Sequence, residues 1–182
     1  MATLADRVIV CAMSKKRVCA ASIFCCVILS VTIGFCQSDD REPAPRFRAK
    51  TLEGEQYTNA SVKGKVVLFQ FWTTWCPYCK AEEELVNDIT AEFADKGLVV
   101  LAVDVAESKK KVLQYLKEHP RKCRIVLTED TNLAAMYQAN SYPIYVLVDR
   151  EGNIVDTQRG AGGERPLRRM LERAGLESKD SE

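Results

Sequence analysis

The apolar residues divide the chain into an N-terminal run and a longer stretch with mixed periodicity. Val18 to Phe35 is eighteen residues without a charge, preceded by Lys15-Lys16-Arg17 and followed by Gln37-Ser38-Asp39-Asp40-Arg41-Glu42. Residues 37–46, with Pro43 and Pro45, read as an extended linker; residues 47–175 read as one globular domain and 176–182 as a polar tail. Within the domain, Val66 to Trp72 is almost wholly apolar and rich in β-formers, which predicts a central strand buried on both faces. Leu98 to Val105 and Ile144 to Asp149 repeat that pattern, and Ile125 to Leu127 is a weaker strand. Between the first two, Leu85, Val86, Ile89 and Phe93 share one helical stripe, with Glu82, Glu83, Asp88 and Glu92 assigned to the exposed side. Further helices are expected over Ser108 to Glu118, stopped by Pro120, over Asn132 to Gln138 and over Glu164 to Ala174. Arg150-Glu151-Gly152-Asn153 is a tight turn joining Tyr145 to Val148 with Ile154 to Thr157 in an antiparallel hairpin. The order β-α-β-α-β-α-β-β-α predicts an α/β fold: a central mixed sheet with helices on both faces.

The N-terminal 36 residues have the layout of a secretory signal: a basic region, an apolar core and a polar start to the mature chain. Eighteen apolar residues also just suffice to span a bilayer, and the basic cluster would then keep the N-terminus cytoplasmic. Translation from Met13 would give a compact signal. Ile33-Gly34-Phe35-Cys36 is loosely similar to a bacterial lipoprotein box, although Phe35 stands where that box has a small residue. Each reading places the domain outside the cytoplasm, attached to the membrane through residues 18–35 or released after cleavage, where disulfide chemistry is available.

Charge narrows the function classes. In 182 residues, 26 Lys+Arg oppose 25 Asp+Glu, so no sequence-wide basic excess exists to neutralise phosphates, and nucleic acid is not an expected partner. With His119 the one histidine, a two-histidine mechanism is excluded. Eight cysteines would suggest a disulfide scaffold if spread evenly, but five lie in the first 36 residues. The domain keeps Cys76, Cys79 and Cys123.

Cys76-Pro77-Tyr78-Cys79 sits where a buried strand turns into a helix, and two cysteines at this spacing can close a small disulfide ring. Pro77 suits the first helical position, which makes Cys76 the N-cap. A thiolate there faces unpaired N–H groups and the positive end of the helix, so its pKa is expected to fall and Cys76 to be the nucleophile. Cys79, one turn further in, is the expected resolving thiol. Two other readings use the same residues: a zinc site completed by His119 and Cys123, and a permanent structural disulfide in a redox-inert binding module. The strand–turn–helix setting, Pro77 and the export signal favour redox use. Cys123 reads as an idle thiol and His119 as a helix cap. Trp75 and Tyr78 flank the nucleophile and offer an apolar docking surface.

Phe71-Trp72, Trp75-Cys76 and Cys79 together resemble the active-site block of the thioredoxin superfamily. Ala44-Pro45-Arg46-Phe47, the length between Cys79 and Pro143, and Val148-Asp149-Arg150-Glu151-Gly152 are similar to its exported TlpA/ResA-like branch. The resemblance implies a thioredoxin-like fold with an N-terminal extension and one inserted β-α unit, acting as a thiol–disulfide oxidoreductase. It needs no cofactor or metal, works as a monomer, and takes protein thiol or disulfide clients together with an exported or membrane electron donor or acceptor. It also implies that Pro143 is a cis-proline facing the cysteines, with Tyr142 beside it holding an extended substrate segment; by residue type alone an X-Pro bond is more often trans. Gln70 stands where thioredoxins carry a buried proton-moving Asp, so that route is missing. Glu82 matches an acid of ResA-like proteins and is the candidate base for Cys79. Thr73-x-x-Cys76 is similar to the peroxiredoxin motif, but Phe69 occupies the place of its proline. Reduction of exported disulfides, those of apocytochrome c among them, is the expected direction; the Pro77-Tyr78 pair instead favours an oxidising role.

Overall fold

The computed structural model describes residues 41–177, within the compact unit Asp39–Glu182. The signal or anchor at residues 1–36, Cys36, residues 37–40 of the linker and residues 178–182 of the tail lie outside the described residues.

Chain order is β1 (Arg48–Thr51), β2 (Gln56–Thr58), β3 (Val66–Trp72), α1 (Pro77–Ala81), α2 (Glu83–Phe93), β4 (Leu98–Asp104), α3 (Lys109–Glu118), β5 (Arg124–Thr131), α4 (Leu133–Met136), β6 (Ile144–Val148), β7 (Ile154–Arg159) and α5 (Glu164–Arg173). One seven-stranded sheet runs β2-β1-β5-β4-β3-β6-β7. β3, β4 and β5 are parallel neighbours, whereas β6 runs antiparallel to β3 and to β7. The expected mixed sheet is therefore present, with β3 and β4 buried along their whole length as their apolar runs require.

Strand alternation sorts the core into two faces. Leu68, Trp72, Val100 and Leu147 pack with Val86, Ile89 and Phe93 of α2, Val112 of α3 and Leu167, Met170 and Leu171 of α5. Val67, Phe69, Phe71, Leu101 and Val146 pack with Phe47, Val62 and α4. β5 and α4 follow α3 and precede β6, and β5 extends further than Ile125 to Leu127.

Three features depart from the periodicity. The hairpin β1–β2 has no counterpart in the expected elements, because its inward residues Ala49 and Thr51 are small or polar. The helix after Cys76 is two helices, interrupted at Glu82. Glu82, expected on the exposed side, is buried, 4% accessible. It follows Cys79 by three residues and precedes Val86 by four, which places it on the buried stripe despite its charge.

Residues 41–44 lie along the domain. Arg41 pairs with Asp149 at 2.9 Å, Ile154 N donates to Glu42 O, and Ala44 N donates to Gly152 O. The 149–153 turn is built by Asp149 Oδ1, which accepts from the N–H groups of Glu151 and Asn153. At the other end of the domain Leu176 is buried against the face that carries α5.

Candidate redox site

β3 delivers the chain to the carboxyl edge of the sheet at Trp72, and the cysteine loop starts there. Cys76 is the N-cap of α1 in extended conformation, φ −76° and ψ 112°, with Pro77 directly after it. Cys76 and Cys79 are joined as a disulfide with Cα atoms 5.3 Å apart. The Cys79 N–H lies 3.1 Å from Cys76 Sγ, so a thiolate released at Cys76 meets a backbone donor without rearrangement. α1 has five residues, so this near donor matters more here than a macrodipole.

Access separates the two sulfurs. Cys76 keeps 3% of its surface exposed and Cys79 keeps 0%. Around this small opening Trp75 and Tyr78 are 61% and 65% exposed. Trp75 packs edge-to-face on Tyr142, ring centroids 6.0 Å apart, and the Tyr142–Pro143 bond is cis. Phe71 pairs with Ile144, so Pro143 lies at the same end of the sheet as Trp72 and the cysteine loop.

The loop is fixed from behind by an acid pair that carries no local sequence signal. Thr74 donates from its N–H at 2.5 Å and from its hydroxyl at 2.8 Å to the Glu107 carboxylate, which also pairs with Lys111 at 2.5 Å. Asp104, opposite Trp72 in register, is fully buried, and neither of its carboxyl oxygens receives a hydrogen bond. Burial first, then the Glu107 carboxylate beside it, push the Asp104 carboxyl up to about 8. Burial opposes ionisation of Glu107 as well, but the donors Lys111 and Thr74 outweigh it and hold Glu107 below the usual carboxylate range.

Asp104 therefore keeps its proton at neutral pH in the folded protein, whereas in the unfolded chain it ionises near 3.8. The native state binds the extra proton from about pH 4 to about pH 8, and stability falls as pH rises through that window. Asp104→Asn replaces the protonated acid by a neutral isostere. Its denaturation midpoint relative to wild type should climb across this window and level off above it. A difference that does not change with pH would contradict the assignment.

On the same sheet face, buried Gln70 donates from Nε2 to Tyr145 OH at 3.1 Å and accepts at Oε1 from Arg121 Nη2 at 2.6 Å. Tyr145 OH donates to Glu82 Oε2 at 2.7 Å, and Gly163 N–H donates to Glu82 Oε1 at 2.7 Å. Burial, with the Glu82 carboxylate next, drives the Tyr145 phenol well above its ordinary range. Glu82, the candidate base named from the sequence, caps α1 three residues after Cys79 with its carboxylate tied to Tyr145 and Gly163, while Arg121 and Tyr145 carry no local sequence signal.

His119 is the C-cap of α3 and stacks on Tyr115, with Nδ1 3.1 Å from Glu83 Oε2. Cys123 is a buried free thiol, pushed up by burial. Among the described residues no three His, Cys, Asp or Glu side chains are grouped to hold a metal ion.

The sequence profile described as the AhpC/TSA family matches residues 41–157, which spans the cysteine loop, the acid pair and the cis-proline. The chain belongs to the AhpC/TSA family. Within it, the chain is 24% identical over 169 residues to the thiol-disulfide oxidoreductase ResA of Bacillus cereus, covering 87% of this chain and 98% of the relative. It is 32% identical over 133 residues to the thioredoxin-like protein YneN of Bacillus subtilis, covering 72% and 78%. The crystal structure of a thiol:disulfide interchange protein of the thioredoxin family from Chlorobium tepidum superposes with a TM-score of 0.65 at 24% identity, over 74% of this chain and 96% of that one. This member of the AhpC/TSA family thus has the thioredoxin-like fold and is a thiol–disulfide oxidoreductase of the ResA-like kind.

Proposed function

We propose that this protein is an exported reductant of protein disulfides, those of apocytochrome c among its clients, anchored by residues 18–35 or released after cleavage. The export reading is supported by the basic, apolar and polar succession of residues 15–42. The observation that carries the catalytic reading is the asymmetry of the disulfide: Cys76 alone reaches the surface, at an N-cap ringed by Trp75, Tyr78 and Tyr142.

In the reduced enzyme the Cys76 thiolate attacks a client disulfide. An enzyme–client S–S bond forms, the client S–S bond breaks, and one client thiolate leaves and takes up a proton. Glu82 then accepts the Cys79 proton, and the Cys79 thiolate attacks Cys76 Sγ. The Cys76–Cys79 bond re-forms, and the second client thiolate departs and is protonated in turn. Two electrons have moved to the client, and an exported or membrane dithiol donor returns the enzyme to its reduced form. Trp75 and Tyr78 supply apolar contact area for an extended client segment, and Tyr142 and cis-Pro143 align it.

Cys79→Ser leaves the mixed disulfide without a resolving thiol. Expression of this variant in its native compartment should give disulfide-linked adducts through Cys76, identifiable by mass spectrometry after non-reducing electrophoresis. Adducts that include proteins with a Cys-x-x-Cys-His haem-attachment sequence support the apocytochrome c client. Absence of any adduct sinks the reductase reading.

A further inference from the structure

The hydrogen bonds beneath the disulfide have a single direction. The Arg121 side chain is 1% exposed, with its guanidinium 5.0 Å from the centroid of the Trp72 ring, and guanidinium nitrogens can only donate. Gln70 must therefore present Oε1 to Arg121, which turns its Nε2 towards Tyr145 as a donor. The Tyr145 oxygen accepts that bond, so its own hydrogen is left for Glu82. The groups facing Arg121 are Gln70 and Trp72 on β3, Glu83 on α2 with its carboxylate 3.7 Å away, Tyr115 on α3, and Cys123 ahead of β5. Glu82 in turn faces Tyr145 of β6 and the Gly163 N–H before α5.

We propose that Arg121 is a positioning residue for the resolving step: by fixing the Gln70 amide it forces the Tyr145 hydroxyl to donate to Glu82. The carboxylate is thereby held in one orientation, on the residue that caps α1 three positions after Cys79. The Gln70 amide is neutral, and Glu82 is the carboxylate at the end of the chain. This arrangement replaces a titrating residue at position 70 by a fixed cation acting through two neutral groups. Without Arg121 the Gln70 amide is free to turn over, and Tyr145 can then direct its hydrogen to Gln70 instead of Glu82. The inference rests on the reading of Glu82 as the base for Cys79.

The test uses the full-length reduced protein in detergent, with Cys11, Cys19, Cys25, Cys26 and Cys36 replaced by serine and Cys123 by alanine so that Cys76 and Cys79 are the two thiols left, and a single turnover with 5,5′-dithiobis(2-nitrobenzoate). The first thionitrobenzoate released reports attack by Cys76, and the second reports resolution by Cys79. Arg121→Met should slow the second release about tenfold relative to the first, within the roughly hundredfold that misplacement of a reacting group can cost. It should also raise the pH at which that release is half-maximal, since a hydrogen bond to the charged form of an acid favours it. Arg121→Lys should recover part of both effects. Tyr145→Phe interrupts the chain without touching the cation and should reproduce them, which keeps the test decisive if Arg121→Met does not fold. In a Glu82→Gln background neither substitution should add to the loss. If Glu82→Gln resolves as fast as wild type, the base reading fails and the inference fails with it. If Glu82→Gln is slow but Arg121→Met and Tyr145→Phe keep the wild-type pH profile, or if their effects add to that of Glu82→Gln, the positioning role alone is overturned.

Discussion

Replacing Cys76 with serine is expected to abolish thiol–disulfide exchange, with insulin reduction down at least about a thousandfold, as when a nucleophile is removed. Its partner Cys79 cannot take over. Cys79 is fully buried, one helical turn inside, whereas Cys76 keeps a small exposed opening. Cys79→Ser should behave differently: it too loses turnover, but it keeps the first half-reaction, so in a background without the other six cysteines a single equivalent of a chromogenic disulfide is still consumed. Both variants lose the same covalent link, so any shared fall in stability cancels in the comparison. Equal single-turnover reactivity of the two variants would show that the exposure asymmetry does not choose the nucleophile.

The second large effect is on stability. Phe69 is 1% exposed in the middle of β3, edge-to-face with Phe47 at 5.1 Å and tilted against Tyr137 at 5.6 Å. These partners come from the chain before β1 and the chain after α4, so one ring joins three separate segments. Phe69→Ala leaves a cavity among them and should cost about 3–5 kcal/mol, read as a lower urea midpoint at unchanged slope. Phe69 lies on the sheet face away from the cysteines, which pack with Trp72 and α2. The rate of Cys76 attack in the folded fraction should therefore stay at the wild-type value. Loss of both together would mean that the two faces are not independent.

How much of the molecule was legible in the chain depends on how each signal arises. β3, β4 and β6 are buried on both faces, and burial on both sides leaves a run of apolar residues that needs no partner to be recognised. Cys76, Pro77 and Cys79 are neighbours, so their roles could be argued from local geometry. The β1–β2 hairpin depends on β5 for its neighbour, and Ala49 and Thr51 do not announce a buried face. Glu82 reads as exposed when charge is allowed to outweigh its phase on the helix. Its burial is made tolerable by Tyr145 and Gly163, 63 and 81 residues away. Arg121 and Gln70 meet across 51 residues and Thr74 and Glu107 across 33, and no local pattern marks such pairs. The arginine in particular sits in the ordinary-looking polar sequence Pro120-Arg121-Lys122.

The strap formed by residues 41–44 has a mechanical meaning. It is held to the 149–153 turn, at the end of the sheet where β3 begins, while the disulfide lies where β3 ends. The seven residues of β3 separate the two by about 23 Å. A pull on the chain before Arg41 would load Arg41, Glu42, Ala44 and the turn they bind, at the end of β3 remote from Cys76. The attachment of the preceding chain and the cysteine pair thus occupy opposite ends of β3, so the strap leaves the redox end of the sheet uncovered.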